Sequence, residues 1–87
     1  MKVSIWDTYV QRDNGSTMHF DIVVPSTLSD ATIVYDYGRQ FLKTKSFDTG
    51  ALSSEECRFC HIEQATDVMV KAIEEQGFFI IEMENCK

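Results

Sequence analysis

The segment Val3–Val24, VSIWDTYVQRDNGSTMHFDIVV, decides the fold because two strand-forming runs flank a turn within it. β-branched and aromatic residues, which favour strands, fill Val3–Val10 and Thr17–Val24. Asn14-Gly15 between them tolerates positive φ at both central positions of a type I′ turn. The segment therefore predicts an antiparallel β-hairpin.

The turn also decides which side chains of the hairpin share a face. A two-residue Asn14-Gly15 turn pairs Val10 with His19. One face then holds the more apolar set, which we expect to meet the helices: Ile5, Asp7, Tyr9, Met18, Phe20, Ile22 and Val24. The opposite face holds Trp6, Thr8, Val10, His19, Asp21 and Val23. A bulged three-residue turn would reverse the faces of the first strand only.

A first helix is predicted after Pro25, which ends the second strand because its nitrogen cannot donate to a ladder. Thr27 or Ser29 caps this helix, which runs to about Lys45 and carries an apolar stripe at helical spacing. Gly38 lies within the stripe, where a residue without a side chain indicates a close approach to the sheet.

A third strand, a second helix and a fourth strand complete the chain. Glu55–His61 predicts the third strand, and Phe78–Met83 the fourth. Thr66 caps the helix between them, and Gly77 ends it in a left-handed conformation. The order β-β-α-β-α-β predicts a single α+β domain over residues 1–87, with a mainly antiparallel four-stranded sheet and both helices on one face.

Such a two-layer arrangement leaves the other sheet face open. Trp6, Val23, Phe78 and Ile80 are the apolar residues expected to be exposed there. Exposed apolar patches often mark interaction or self-association surfaces. We therefore expect a small non-catalytic binding or interaction domain that forms a homodimer through its open sheet face.

The acidic composition narrows the choice of partners and compartment. A net charge of -6 disfavours binding to nucleic acid and to anionic membrane surfaces. Asp7 comes too early for a secretory apolar core, so a cytoplasmic location is expected. Thiols stay reduced there, and three cysteines do not predict a disulfide framework.

The segment Cys57-Arg58-Phe59-Cys60-His61 is the strongest candidate for chemistry. Two thiolates at this spacing form half of a typical zinc site. The remaining cysteine and histidine side chains that could complete it are His61, Cys86 and His19, and the carboxylates of Glu55, Glu56 and Glu63 are also near. A zinc-binding protein is therefore the main alternative to an interaction domain.

The local secondary structure decides between this metal site and simple packing. In a flat strand, Cys57 and Cys60 point to opposite faces and pack as small hydrophobes. A helix capped by Ser54 would instead bring both cysteines to one face with His61. Thiol catalysis ranks lower, because a redox Cys-x-x-Cys opens a helix after a first strand. The same string attaches c-type haem, but that chemistry requires export.

The hairpin carries a second set of polar residues, which are candidates for a pocket: Asp7, Tyr9, His19 and Asp21. His19 and Asp21 lie two residues apart and share a strand face. A histidine held by a carboxylate can act as a general base, so an acid–base enzyme is a third alternative. A structural hydrogen bond is the simpler interpretation of this pair.

Four strings occur together along the chain: DTYV at Asp7–Val10, MHFD at Met18–Asp21, ECRFCH at Glu56–His61, and GFFI at Gly77–Ile80 followed by Met83, Glu84 and Cys86. In this order they resemble an uncharacterised family of small bacterial proteins catalogued as a domain of unknown function. The resemblance implies a bacterial, cytosolic, stand-alone α+β domain without an assigned activity. It also singles out, without roles, Asp7, Tyr9, His19, Asp21, Cys57, Cys60, His61 and Cys86. Where the family typically has a small polar residue, this chain has Ile62.

Overall fold

The hairpin forms the centre of the sheet. In the computed structural model, which describes residues 1–87, β1 (Lys2–Gln11) pairs with β2 (Thr17–Pro25). β3 (Cys57–Gln64) adds to the outer edge of β1, and β4 (Phe79–Glu84) adds to the outer edge of β2. The strand order is β3-β1-β2-β4, and every neighbouring pair is antiparallel.

The first helix, α1 (Ala31–Leu42), begins after both predicted caps, Thr27 and Ser29, and ends before the predicted Lys45. Its cap is Asp30, whose carboxylate accepts a hydrogen bond from the Thr32 N–H at 3.0 Å. The close approach expected at Gly38 is present, since a Cβ there would lie 2.9 Å from Ile22 Cδ1 in the sheet. The same Cβ would lie 2.6 Å from Leu52 Cδ1 in the following loop.

The second helix, α2 (Asp67–Gln76), has the predicted ends. The Thr66 side chain caps it by accepting from the Met69 N–H at 3.3 Å. Gly77 ends it with a φ of 97°, a conformation in which any side chain is strained. The predicted α+β fold and the order β-β-α-β-α-β are therefore confirmed. Neither helix is long and apolar enough to span a membrane.

The turn between β1 and β2 differs from the predicted type I′ turn. It has three residues, Asp13–Gly15, and only Gly15 has a positive φ, at 87°. The Gly15 N–H donates to the Arg12 carbonyl at 3.1 Å, and the Arg12 N–H donates to the Ser16 carbonyl at 2.9 Å. The Asn14 side chain favours this shape because its Oδ1 accepts from the Ser16 N–H at 3.0 Å. Tyr9 therefore pairs with His19, and the faces of β1 are reversed.

The reversed faces change where the helices pack. The α1 face of the sheet carries Met18, Phe20, Ile22 and Val24, joined from β1 by Trp6, Thr8 and Val10. The α2 face carries Val3, Ile5 and Val23, which pack against Met69 and Ile73 of α2. The helices thus lie on opposite sides of the sheet, whereas the sequence predicted both on one side. Each sheet face offers apolar residues, so each can bury one helix.

This arrangement corrects the predicted interaction surface. Val23 is 0% exposed beneath α2, and Phe78 is 5% exposed. The Phe78 ring stacks on Tyr37 of α1, with the ring centroids 4.5 Å apart. Trp6 and Ile80 are only partly buried, yet both pack on the core of the α1 face. No open apolar sheet face exists, and these four residues do not form one surface.

The C-terminal residues are fastened to the hairpin. The Arg12 guanidinium donates to the carbonyls of Asn85 and Lys87, at 3.1 and 2.8 Å. Its other side lies over the Phe47 ring, 3.6 Å from the centroid. Cys86 is 5% exposed, and its thiol donates to the His19 carbonyl at 3.4 Å. The tail therefore packs along the strand that carries His19.

Burial of Val23 gives a direct test of the two-sided packing. We expect Val23→Ala to lower the free energy of unfolding by about 2 kcal/mol, because it removes buried methyl groups and leaves a cavity beneath α2. The control is Val68→Ala on α2, where the side chain is 64% exposed; its change should stay within about 0.5 kcal/mol. Urea denaturation measures both, and equal small effects would contradict this packing.

Candidate metal centre

Three polar side chains meet on the part of the α2 face that the helix leaves uncovered. We call Asp7, His19 and Asp21 the Asp-His-Asp cluster. Asp7 lies directly opposite Asp21 across the β1–β2 ladder, and His19 is two residues before Asp21 on the same strand. Side chains at such positions share a sheet face and lie within reach of one another. The register of the hairpin therefore assembles the cluster.

The three side chains of the cluster lie close together but form no hydrogen bond with one another. His19 Nε2 lies 3.6 Å from Asp21 Oδ1 and 3.9 Å from Asp7 Oδ1. One ligand-type atom from each residue falls within 4.8 Å of the other two. His19 Nε2 and Asp21 Oδ1 are both buried and have no hydrogen-bond partner. A buried polar atom left without a partner costs on the order of 1–3 kcal/mol, which a bound ligand would offset.

The imidazole of His19 is held in a fixed orientation. Tyr9, opposite it on β1, stacks on the ring with a centroid distance of 4.2 Å and an angle of 11° between the planes. The His19 side chain is only 18% exposed, against 39% for Asp7. The stacked ring cannot swing away from the carboxylates without losing this contact.

The pKa of one carboxyl group in the cluster is strongly shifted. The pKa of Asp21 is raised from its ordinary value of 3.8 to about 6, mainly because burial disfavours the charged form. The neighbouring Asp7 carboxylate raises the pKa further, while His19 and His61 lower it. Near pH 6, Asp21 therefore changes between its protonated and its ionised form.

Two further ligand-type side chains reach this face from β3. The β3–β1 register shifts between Ile5 and Trp6, which leaves Cys60 as an extra, bulged residue beside His61. Cys60 Sγ lies 3.1 Å from His61 Nδ1. The pKa of the Cys60 thiol is raised by partial desolvation and then by the charges of Asp7 and Asp21. A raised pKa is unfavourable for a catalytic nucleophile, which needs the thiolate.

The structure divides the metal ligands that the sequence grouped together. His19 belongs to the Asp-His-Asp cluster, and Cys60 and His61 of β3 lie beside it on the α2 face. Cys57 is 1% exposed and packs with Cys86 in the core of the α1 face. The strand geometry therefore separates Cys57 from Cys60, as the strand alternative in the sequence predicted. Burial raises the pKa of the Cys57 and Cys86 thiols, as expected of packed cysteines.

The pocket candidates from the hairpin do come together, and the sequence contained the signal for this. Asp7 and Tyr9 were predicted on the face opposite His19 and Asp21, because Asn14-Gly15 favoured a two-residue turn. The three-residue turn, which the sequence left open, brings all four to one face. What sequence reasoning missed was that Asp7 and Asp21, treated as acid–base groups, could also be metal ligands.

Comparison with known proteins gives the family but no activity. A family model described as "Domain of unknown function (DUF2024)" matches residues 1–83. The chain belongs to this family. The predicted resemblance to an uncharacterised family is therefore confirmed.

One solved structure supports the fold of this family member. It is the NMR structure of a protein from the bacterium Nitrosomonas europaea, determined as a structural-genomics target. The two proteins are 36% identical over 100% of both chains, with a TM-score of 0.80. A search of curated proteins gives no match. The function must therefore be argued from the cluster itself.

The raised pKa of Asp21 predicts how stability depends on pH in the absence of metal. Between pH 3.8 and about 6 the folded chain holds a proton that the unfolded chain has lost. The free energy of unfolding therefore falls as the pH rises through this window. Asp21→Asn does not titrate, so its stability relative to wild type should rise from pH 4 to pH 6.5 and then level off.

Urea denaturation in the presence of a chelator, at pH 4.0, 5.0, 6.5 and 7.5, measures this difference. A difference that does not change with pH would mean that Asp21 titrates as in the unfolded chain.

Proposed function

We propose that this chain is a non-catalytic metal-binding domain. It would hold one divalent transition-metal ion, preferably zinc, at the Asp-His-Asp cluster. The observation that carries the proposal is the pair of buried atoms without partners, His19 Nε2 and Asp21 Oδ1, 3.6 Å apart. A hydrogen bond between them would need a shorter distance, and neither has another donor or acceptor. A cation between them would satisfy both.

The spacing of the cluster fits a small tetrahedral ion. Zinc lies about 2.0–2.2 Å from histidine nitrogen and carboxylate oxygen, so its ligand atoms are about 3.3 Å apart. The distances from His19 Nε2, 3.6 and 3.9 Å, are larger by a few tenths of an ångström. The Asp7 side chain is 39% exposed and has room to close this gap.

Cys60 is the best candidate for a fourth ligand. Cys60 lies at the bulge of β3, next to His61, which is opposite Ile5 on the α2 face, so its sulfur could reach the edge of the cluster. A thiolate beside an imidazole favours zinc over magnesium or calcium, which prefer oxygen ligands alone. His61 would then orient the sulfur from 3.1 Å, in the manner of an outer partner of a metal ligand.

The charge of the cluster also supports a cation. Asp7 and Asp21 bring two carboxylates together in a partly buried site, and burial together with the neighbouring Asp7 carboxylate raises the pKa of Asp21. A divalent ion would remove this repulsion and keep both carboxylates ionised. We also propose a cytoplasmic location, where Cys60 would remain reduced and able to bind metal.

Metal-binding variants test the ligand set. We expect wild type to bind one zinc ion per chain, and Asp7→Asn or His19→Gln to weaken binding by more than the 10–100-fold typical of outer partners. Cys60→Ser should weaken binding less than either. The controls are Asp67→Asn, an exposed carboxylate on α2, and Cys57→Ala, a buried thiol of the α1 face; both should bind as wild type does.

Isothermal titration calorimetry gives the stoichiometry and affinity, and cobalt(II) absorption reports whether a thiolate binds the ion. Loss of binding in Cys57→Ala with retention in Asp7→Asn would reject this site in favour of the cysteine pair. Absence of binding in wild type would reject the proposed function.

Binding should also depend on pH. Asp21 must lose its proton to bind, and its pKa is about 6. Zinc affinity should therefore fall steeply as the pH drops from 7.5 to 5, because protons compete with zinc for the Asp21 carboxylate. Competition titrations with a zinc indicator at three pH values measure this slope. An affinity that stays constant down to pH 5 would contradict Asp21 as a ligand.

A further inference from the structure

The outer edge of β3 is the most exposed strand edge in the molecule. β3 borders the sheet on one side, and seven of its eight residues are exposed. Phe59 and Ile62 are 51% and 54% exposed, although both are large and apolar. Unpaired backbone groups along such an edge are a template for another strand.

The bulge at Cys60 gives β3 a symmetric pattern of faces. Before the bulge, Phe59 lies opposite Trp6 on the α1 face and Arg58 lies opposite Asp7 on the α2 face. After the bulge, Ile62 lies opposite Ser4 on the α1 face and Glu63 opposite Val3 on the α2 face. On both sides of the Cys60–His61 pair, the first side chain therefore lies on the α1 face and the second lies on the α2 face.

We propose that a second copy of this chain pairs with β3 edge to edge, antiparallel, about a two-fold axis between Cys60 and His61. Because the axis relates the two copies, each contact between two different residues occurs twice in the dimer. Arg58 would lie opposite Glu63 of the partner subunit, and Phe59 opposite Ile62 of the partner subunit. The two sheets then join into one sheet of eight strands.

Charge and burial both favour this register. Directly opposite strand residues of opposite charge stabilise a pair, and like charges destabilise it. Because of the bulge, every residue in this register meets a residue on its own face, whereas a shift by one residue would set Phe59 against His61, which lies on the other face. Each Phe59–Ile62 contact would cover two half-exposed apolar side chains, next to Trp6, whose ring already packs edge-on against Phe59 at 5.9 Å.

This dimer does not rest on the proposed metal site. The residues that set its register, Arg58 and Glu63, do not belong to the Asp-His-Asp cluster. The axis would, however, bring Cys60 of one copy opposite His61 of the partner subunit. Measurements in a chelator separate the two proposals, because the dimer must then form without metal.

Charge reversal gives a test with a built-in rescue. Glu63→Arg sets arginine against arginine twice across the axis, and Arg58→Glu sets glutamate against glutamate twice. We expect wild type to dimerise with increasing concentration and each variant to weaken the dimer at least tenfold. An equimolar mixture of the two variants should associate again, because both facing pairs of the mixed dimer are then of opposite charge. Glu74→Arg on α2 is the control for Glu63→Arg, since it makes the same change in net charge away from β3.

Sedimentation velocity from 5 to 500 μM protein, with a chelator and at low and high salt, measures the association. Circular dichroism confirms that each variant is folded; all these side chains are exposed. Wild type that stays monomeric at every concentration would overturn the proposal. So would a dimer that both variants leave unchanged, because another surface would then hold it, or a mixture that remains monomeric.

Discussion

The three-residue turn Asp13–Gly15 is the constraint on which the candidate site depends. Gly15 supplies the single positive φ, and the Asn14 side chain holds the Ser16 N–H, so the strands meet with Asp7 opposite Asp21. A two-residue turn would pair Asp7 with Ile22, on the face that packs against α1. The carboxylate would then be buried among apolar side chains, at a cost of several kcal/mol. The length of the turn thus decides whether Asp7 lies in the apolar core or in the polar cluster.

The bulge in β3 likewise decides which face of the sheet two side chains occupy. An unbroken strand would keep strict alternation, and Cys60 and His61 would then point to opposite faces. The extra residue turns both toward the Asp-His-Asp cluster, with their ligand-type atoms 3.1 Å apart. Bulges commonly redirect side chains near functional sites. Here the bulge brings sulfur and nitrogen to a cluster that the hairpin supplies only with oxygen and one imidazole.

Features set by neighbouring residues could be predicted from the sequence, and features set by the whole fold could not. Thr66 and Gly77 mark the ends of α2 through local hydrogen bonding and backbone conformation, so their roles were predicted correctly. Asn14-Gly15 is compatible with two turn lengths, and the choice depends on packing of both sheet faces. The side on which α2 lies was predicted wrongly because the sequence pattern of β2, with adjacent Val23 and Val24, offers apolar residues to both faces. The cluster required the correct register, so its four residues were named but its assembly was missed.

The fastening of the C-terminal tail has a practical consequence for anyone expressing this domain. The family model stops at residue 83, which suggests a convenient cloning boundary there. A chain cut at that boundary would lack Cys86, whose buried thiol donates to the backbone of His19, and the two carbonyls that Arg12 holds. The strand beneath the candidate ligand would lose its outer support, and Arg12 would keep only its stacking on Phe47.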